Sequence, residues 1–275
     1  MGLQVLPKIR TLFGSRKKRR ERLRQRPFPP EWLAIIKRNI PYFRLLPPGD
    51  RHELLGHVQV FLSEHRFEGC GGLEMTDEIR VTIAAQACLL LLHRDTDDYP
   101  MLGSIIVYPA GYIARNRERL PDGAVIVGEQ ARLGESWHRG PVVLSWDDVL
   151  QGAADIHDGH NVVLHEFAHQ LDAESGAEEG APYLPRRSMV AAWARVLGHE
   201  YRELLDEIRQ HHRTLLDAYG AKNPAEFFAV ATEAFFEMST ALRDRHPELY
   251  EQLKLFYRQD PAALVEAYGV RCQES

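Results

Sequence analysis

Apolar positions along the chain change their period twice. From Asp50 to His65 they fall at Leu54, Leu55, Val58, Phe61 and Leu62, the spacing of one helical face. Glu31 to Asn39 gives a shorter helix of the same kind. Thr76 is placed to N-cap a helix running to about His93, whose second half, AAQACLLLL, is apolar on most sides and therefore predicts burial. The period then shortens. Ser104 to Tyr108, Ala124 to Val127 and Val142 to Trp146 are brief runs rich in β-branched residues and punctuated by Gly and Pro, which predicts strands. Beyond Trp146 the helical period returns over about 160–172, 188–216, 224–238 and 241–257, with SGAEEGAPYLP as a loop between the first two. Strands in one block with helices around them predict an α+β fold with a small mixed sheet, forming a single domain over residues 31–270.

Residues 1–30 break this pattern. Residues 16–26 read RKKRRERLRQR, about +7 in a chain of net charge -5, so the remainder carries about -12. The first expectation for this segment is a solvated, self-repelling, flexible tail ended by Pro27, Pro29 and Pro30. The sharper one is a contact for nucleic acid or anionic lipid. The acidic balance elsewhere argues against nucleic-acid binding as the main activity and leaves at most a weak contact through the tail. Cys70, Cys88 and Cys272 are odd in number and widely spaced, which fits neither a disulfide framework nor a Cys-x-x-Cys metal site and predicts a reducing compartment. The best apolar run, Ala84 to Leu92, is too short to span a bilayer, and no apolar core or cleavage site follows the basic N-terminus, so the expected location is the cytoplasm.

The chemistry concentrates in Asn161 to Asp172, NVVLHEFAHQLD. Positions i and i+4 of a helix lie about 40° apart and one turn along the axis. His165 and His169 therefore present their imidazoles on one face, a grip suited to Zn²⁺. Glu166, about 100° around, is placed to serve as general base without being a ligand. A catalytic zinc needs a third protein ligand and an open position. No third histidine follows closely, and His199, His211 and His212 lie in a polar helix where solvation is the expectation. The better candidates are acidic: Glu226, Glu233 and Glu237 in NPAEFFAVATEAFFE. Glu226 also reads as the N3 acid of a helix start capped by Asn223, and spacing alone does not separate it from Glu233. Asp172 is a candidate to orient a ligand histidine, with a solvated helix end as the alternative.

HEFAHQLD, then DAYGAKNPAEFFAVATEAFFE, then LYEQLKLFYRQDP, together with IIVYP and GESW-x-x-GPVVLSW, resemble the Mlc titration factor A family of bacterial zinc peptidases. The likeness extends from about residue 30 to 265 and leaves the basic tail unmatched. It implies a zincin-like metallopeptidase domain whose catalytic core is similar to that of anthrax lethal factor. It places the third zinc ligand at Glu226 and a tyrosine assisting catalysis at Tyr219. It further implies a peptide or protein substrate and a glucose-responsive transcriptional repressor as regulatory partner. The mechanism expected is hydrolysis of peptide bonds, in which Glu166 takes the proton from water and the Tyr219 hydroxyl helps to stabilise the oxyanion. The Ala124 to Val127 strand is expected to be the sheet edge on which an extended peptide docks. Two rivals stand beside this reading: an aminopeptidase of narrow scope, with access restricted by a loop such as 173–187, and a regulatory protein that sequesters a repressor, with peptidase activity secondary.

Overall fold

The β-branched runs at Ser104 and Val142 meet in one sheet, and the helices close around it. The computed structural model describes residues 7–94, 99–110, 112–119, 125–132, 134–136, 141–176 and 179–273. The chain begins with α1 (Pro7–Arg24), α2 (Pro30–Asn39) and α3 (Pro48–Glu64), then β1 (Arg66–Gly69) and α4 (Asp77–Leu89). The β section holds β2 (Ser104–Tyr108), β3 (Tyr112–Arg119), β4 (Val125–Arg132), β5 (Gly134–Ser136) and β6 (Val142–Ser145). The remainder is helical: α5 (Trp146–Ala154), α6 (Val162–Ala173), α7 (Arg187–Arg209), α8 (Pro224–Glu237), α9 (Ser239–Arg245), α10 (Pro247–Tyr257) and α11 (Pro261–Gln273). The sheet order is β1-β2-β6-β5, with β1, β2 and β6 parallel and β5 antiparallel on the edge. Its interior strand β6 is buried throughout, as an interior strand covered on both faces requires, whereas β2 alternates, with Ile105 and Val107 buried.

Proline sets several helix starts. Pro30, Pro48, Pro224 and Pro247 each stand in the first turn, where a missing N–H costs nothing. Pro247 also divides the helix expected over 241–257 into α9 and α10, because its ring cannot continue a helix from residues before it. The helix expected over 188–216 ends at Arg209, and His211 takes a left-handed conformation at φ 56°. Thr76 does cap α4, accepting from the N–H of Ile79, but the helix stops at Leu89 and loosens into turns before His93. Trp146 opens α5 instead of closing a strand, because the Ser145 hydroxyl caps the N–H of Asp148.

Two expectations are corrected. From Arg16 onward the basic segment is a helix packed on α3: Arg20 is only 4% exposed, and its guanidinium holds Glu64 with the help of Arg16. A self-repelling arm becomes ordered here because α3 supplies the Glu64 carboxylate to Arg16 and Arg20, the Ser63 carbonyl to Arg19, and a glycine, Gly56, beside which the Arg24 stem lies. The expected docking strand also differs. Ala124 lies outside the described residues, and β4 pairs in antiparallel register with β3 as a separate two-stranded ribbon, so the sheet edge on that side belongs to β5. The ribbon forms because its two strands are near neighbours in the chain and pair locally.

The core sets the orientation of the two helices that matter most. Phe167 of α6 packs among Phe61 and Tyr99, at ring separations of 5.7 and 4.9 Å. On α8, Phe228 lies against Trp193 and Phe256, and Phe235 and Phe236 against Tyr257. With their apolar sides engaged, α6 and α8 run antiparallel and turn their polar sides toward each other. Among the described residues no helix is long and apolar enough to cross a membrane.

Candidate metal centre

Asn161 starts the helix that carries the histidines, and it is tied on every side. Its side-chain oxygen accepts from the N–H groups of Val163 and Leu164 at 3.1 and 3.0 Å. Its amide nitrogen reaches Gln86 of α4, the Gly152 carbonyl of α5 and Glu237 of α8. Its own N–H donates to Glu233 Oε1 at 2.7 Å. Gly152 permits this approach, since a Cβ there would sit 3.0 Å from Asn161 Cα. The start of α6 is thus fixed to three other helices, and the histidines one and two turns on inherit that position.

His165 Nε2 and His169 Nε2 converge on a single carboxylate oxygen, Glu226 Oε2, at 3.1 and 3.2 Å. The three side chains can each offer one ligand atom, all within 4.8 Å of one another. Two neutral imidazoles and a carboxylate form an N₂O donor set of the kind that suits zinc and leaves coordination positions open. Of the three acids weighed from the sequence, only Glu226 takes this place. Glu233, two turns farther along α8, accepts from His165 Nδ1 at 2.8 Å. That bond fixes the ring orientation and turns Nε2 toward Glu226. Glu237 lies deeper still, against Asn161.

Glu166 is 4% exposed and sits between the histidines in sequence but on the neighbouring face. Its Oε2 is buried without a hydrogen-bond partner among the described residues. Burial pushes this carboxyl up to about 7, against the pull of His165 and His169. Burial also opposes ionisation of Glu226, but hydrogen bonds from both histidines and Lys222 outweigh it and hold the group well below the ordinary carboxylate range. For His165, burial disfavours the charged ring, and Glu226 and Glu233 overcome that and raise it. The polar sides of α6 and α8 therefore favour a net positive charge at their centre.

Tyr219 is half exposed, and its ring centre stands 5.9 Å from that of His165. Lys222 bridges it to the cluster: its ammonium donates to the Tyr219 hydroxyl at 3.1 Å and to Glu226 Oε1 at 3.0 Å. Asp217 caps the short 3-10 turn Ala218–Ala221 that presents the tyrosine. The loop after α6 is pinned beside this wall. Asp172 is fully buried and accepts from the Gly180 N–H at 2.7 Å, and the Gly180 carbonyl accepts from the Trp193 indole. Gly180 has φ +72°, and a Cβ there would meet the Pro224 carbonyl at 2.2 Å, so only glycine lets the loop approach the start of α8 this closely. His199, His211 and His212 are exposed, as expected. Asn161, Lys222 and the orienting role of Glu233 were missed by the sequence reading. A capping asparagine before an apolar run was the available signal for the first. Glu200 and His246 form a separate pair at 2.7 Å that ties α7 to the start of α10.

Comparison with known proteins decides the family. Residues 15–258 match the family described as glucose-regulated metallo-peptidase M90. This chain belongs to that family. An uncharacterized protein of Synechocystis sp. is 42% identical over 245 residues, covering 88% of this chain and 89% of its own length. Proteins named Mlc titration factor A from Yersinia pestis and Yersinia pseudotuberculosis are 32% identical over 263 residues, covering 94% of this chain and 93% of theirs. The M90 match begins inside α1 and takes in the whole basic stretch of residues 16–26, which the likeness from about residue 30 had left unmatched. A metallopeptidase family implies a metal ion, and the His165, His169 and Glu226 donor set fits one.

Proposed function

We propose that this M90 protein is a zinc-dependent peptidase of the zincin type, acting in the cytoplasm. His165, His169 and Glu226 would hold the ion, and Glu166 would act as general base. The observation that carries the reading is the convergence of both Nε2 atoms on Glu226 Oε2 beside buried Glu166, whose Oε2 has no hydrogen-bond partner among the described residues. Bound zinc supplies Lewis acidity, polarising a peptide carbonyl and making water easier to deprotonate.

The chain's own groups supply the rest. Glu166 accepts a proton from the attacking water and passes it to the nitrogen of the departing amine as the C–N bond breaks. The Tyr219 hydroxyl, on the exposed side of His165, donates a hydrogen bond to the carbonyl oxygen as negative charge develops there. Lys222 holds that hydroxyl and Glu226 in register. Glu233 keeps the His165 ring from rotating. An extended substrate would add to the outer edge of β5, against which α6 packs, by main-chain hydrogen bonds.

Glu166→Gln tests the chemistry directly. It should retain metal and lower peptide hydrolysis by about 10²–10⁴-fold. Undiminished turnover would remove Glu166 as the base. Comparing N-terminally free with blocked peptides separates an aminopeptidase from an endopeptidase. The name Mlc titration factor A supports a second reading, that the protein also binds and withdraws a transcriptional repressor. Capture of that repressor by the Glu166→Gln protein would establish binding independent of turnover.

A further inference from the structure

We infer that Lys222 is a positioning residue that keeps Glu226 a one-oxygen metal ligand, an inference that rests on the peptidase reading above. Tyr219, Lys222 and Glu226 follow one another from the 3-10 turn into the first turn of α8. The Lys222 ammonium donates to Glu226 Oε1 at 3.0 Å, while Oε2 of the same carboxylate faces both imidazoles. His165 is constrained in a matching way. Glu233 holds its Nδ1, and Nε2 is the ring atom turned toward Glu226. Each of these two ligands therefore presents one atom to the centre because a partner occupies its other one.

An ion pair between two solvated side chains on one helix contributes little. This pair differs on two counts. The Glu226 side chain is only 12% exposed, so water and salt screen the contact weakly at that end. Lys222 is also held at several points. Its ammonium donates to the Tyr219 hydroxyl at 3.1 Å and lies 5.0 Å from the centre of that ring, and its backbone N–H donates to the Tyr219 carbonyl. The chemical consequence follows from the two oxygens. A carboxylate that grips the ion through both of them fills a position that a catalytic zinc site keeps open. An ammonium on Oε1 prevents this and draws negative charge from the ligand, which leaves the ion a stronger Lewis acid. Because the same ammonium holds the Tyr219 hydroxyl, the oxyanion donor keeps a fixed place relative to the ligand.

The test uses the full chain loaded with Co²⁺ in place of zinc, because the visible bands of Co²⁺ lose intensity as its coordination number rises. Lys222→Met keeps a stem of similar length without the charge. It should hold as much metal as the parent but show weaker bands, as Oε1 joins Oε2 on the ion. Its kcat for peptide hydrolysis should fall about tenfold, with KM within about twofold of the parent. Tyr219→Phe should lower kcat and leave the Co²⁺ spectrum unchanged, which assigns the spectral change to Glu226 and not to the lost contact with the hydroxyl. Lys222→Arg, with a cation still in reach of Oε1, should restore the bands and most of the turnover. An unchanged spectrum in Lys222→Met, a change in KM alone, or a Lys222→Arg variant no better than Lys222→Met would overturn the inference. The peptidase reading would survive those results, since the parent would still bind metal and hydrolyse peptides. A parent that takes up no metal would remove both.

Discussion

Two antiparallel helix seams in this protein each bury a carboxylate, and they neutralise it by different means. Between α1 and α3, Glu64 is met by the guanidinium groups of Arg16 and Arg20 at 2.8 and 2.6 Å. Arginine is charged at every relevant pH, so that seam is complete from the chain alone. Between α6 and α8, Glu226 is met by the imidazoles of His165 and His169 at 3.1 and 3.2 Å. A second carboxylate, Glu233, stands behind His165, and a third, Glu166, beside it. The first seam is a structural fastening. The second gathers three acids and two imidazoles around one point, with the exposed Lys222 beside Glu226, an arrangement that a divalent metal can complete.

Glu237 sharpens the contrast by showing a third outcome. It is buried at the far end of the α6–α8 seam, where the Asn161 amide donates to it at 3.0 Å. Burial, with Asp158, Glu233 and Asp155 nearby, pushes its carboxyl up to about 9 despite that hydrogen bond. Tyr42 faces it from the turn after α2, also raised, by burial first. A raised folded-state value means that the stability contribution is fully present below the ordinary 4.5 and is lost as pH rises toward about 9. Between about pH 6 and pH 8 that loss should approach roughly 3 kcal/mol. Urea unfolding followed across this range should show the slope in the parent and a much flatter profile in Glu237→Gln.

Breaking the other seam should have a smaller effect of opposite pH sense. Burial disfavours the Glu64 carboxylate, but Arg20 and Arg16 overcome it and hold the group down to about 2. Its contribution is therefore present above the ordinary 4.5 and disappears as pH falls toward about 2. Glu64→Gln should cost about 2 kcal/mol at neutral pH, because it removes the carboxylate that the Arg16 and Arg20 guanidinium groups hold near the protein surface. Thermal or urea unfolding reads this loss, and metal content should not change.

The sequence made the site more legible than its surroundings. His165, Glu166 and His169 are local in the chain, so helical geometry alone predicts the face that the two histidines share and the neighbouring place of Glu166. The choice among Glu226, Glu233 and Glu237 was not local. All three lie on one buried helix, and their roles differ only through what α6 places opposite each of them. The family resemblance selected Glu226, and it is the one the structure brings to both Nε2 atoms. The strands at Ser104 and Val142 were readable because their β-branched residues are continuous. β1, with the sequence Arg-Phe-Glu-Gly, carries no such pattern and is a strand because β2 offers it a partner. The basic segment misled for the same reason. Its charge density predicts repulsion, and only the position of Glu64, 44 residues from Arg20, shows that a helix can be held there.

The most direct test of the account is the zinc content of the purified protein, measured by elemental analysis beside Glu226→Ala and Glu233→Gln. The account predicts about one zinc per chain in the parent and almost none in Glu226→Ala. In Glu233→Gln it predicts zinc retained but bound about 10–100-fold more weakly, because that residue orients a ligand without being one. Equal zinc in the parent and Glu226→Ala, or a loss in Glu233→Gln that exceeds the loss in Glu226→Ala, would contradict it.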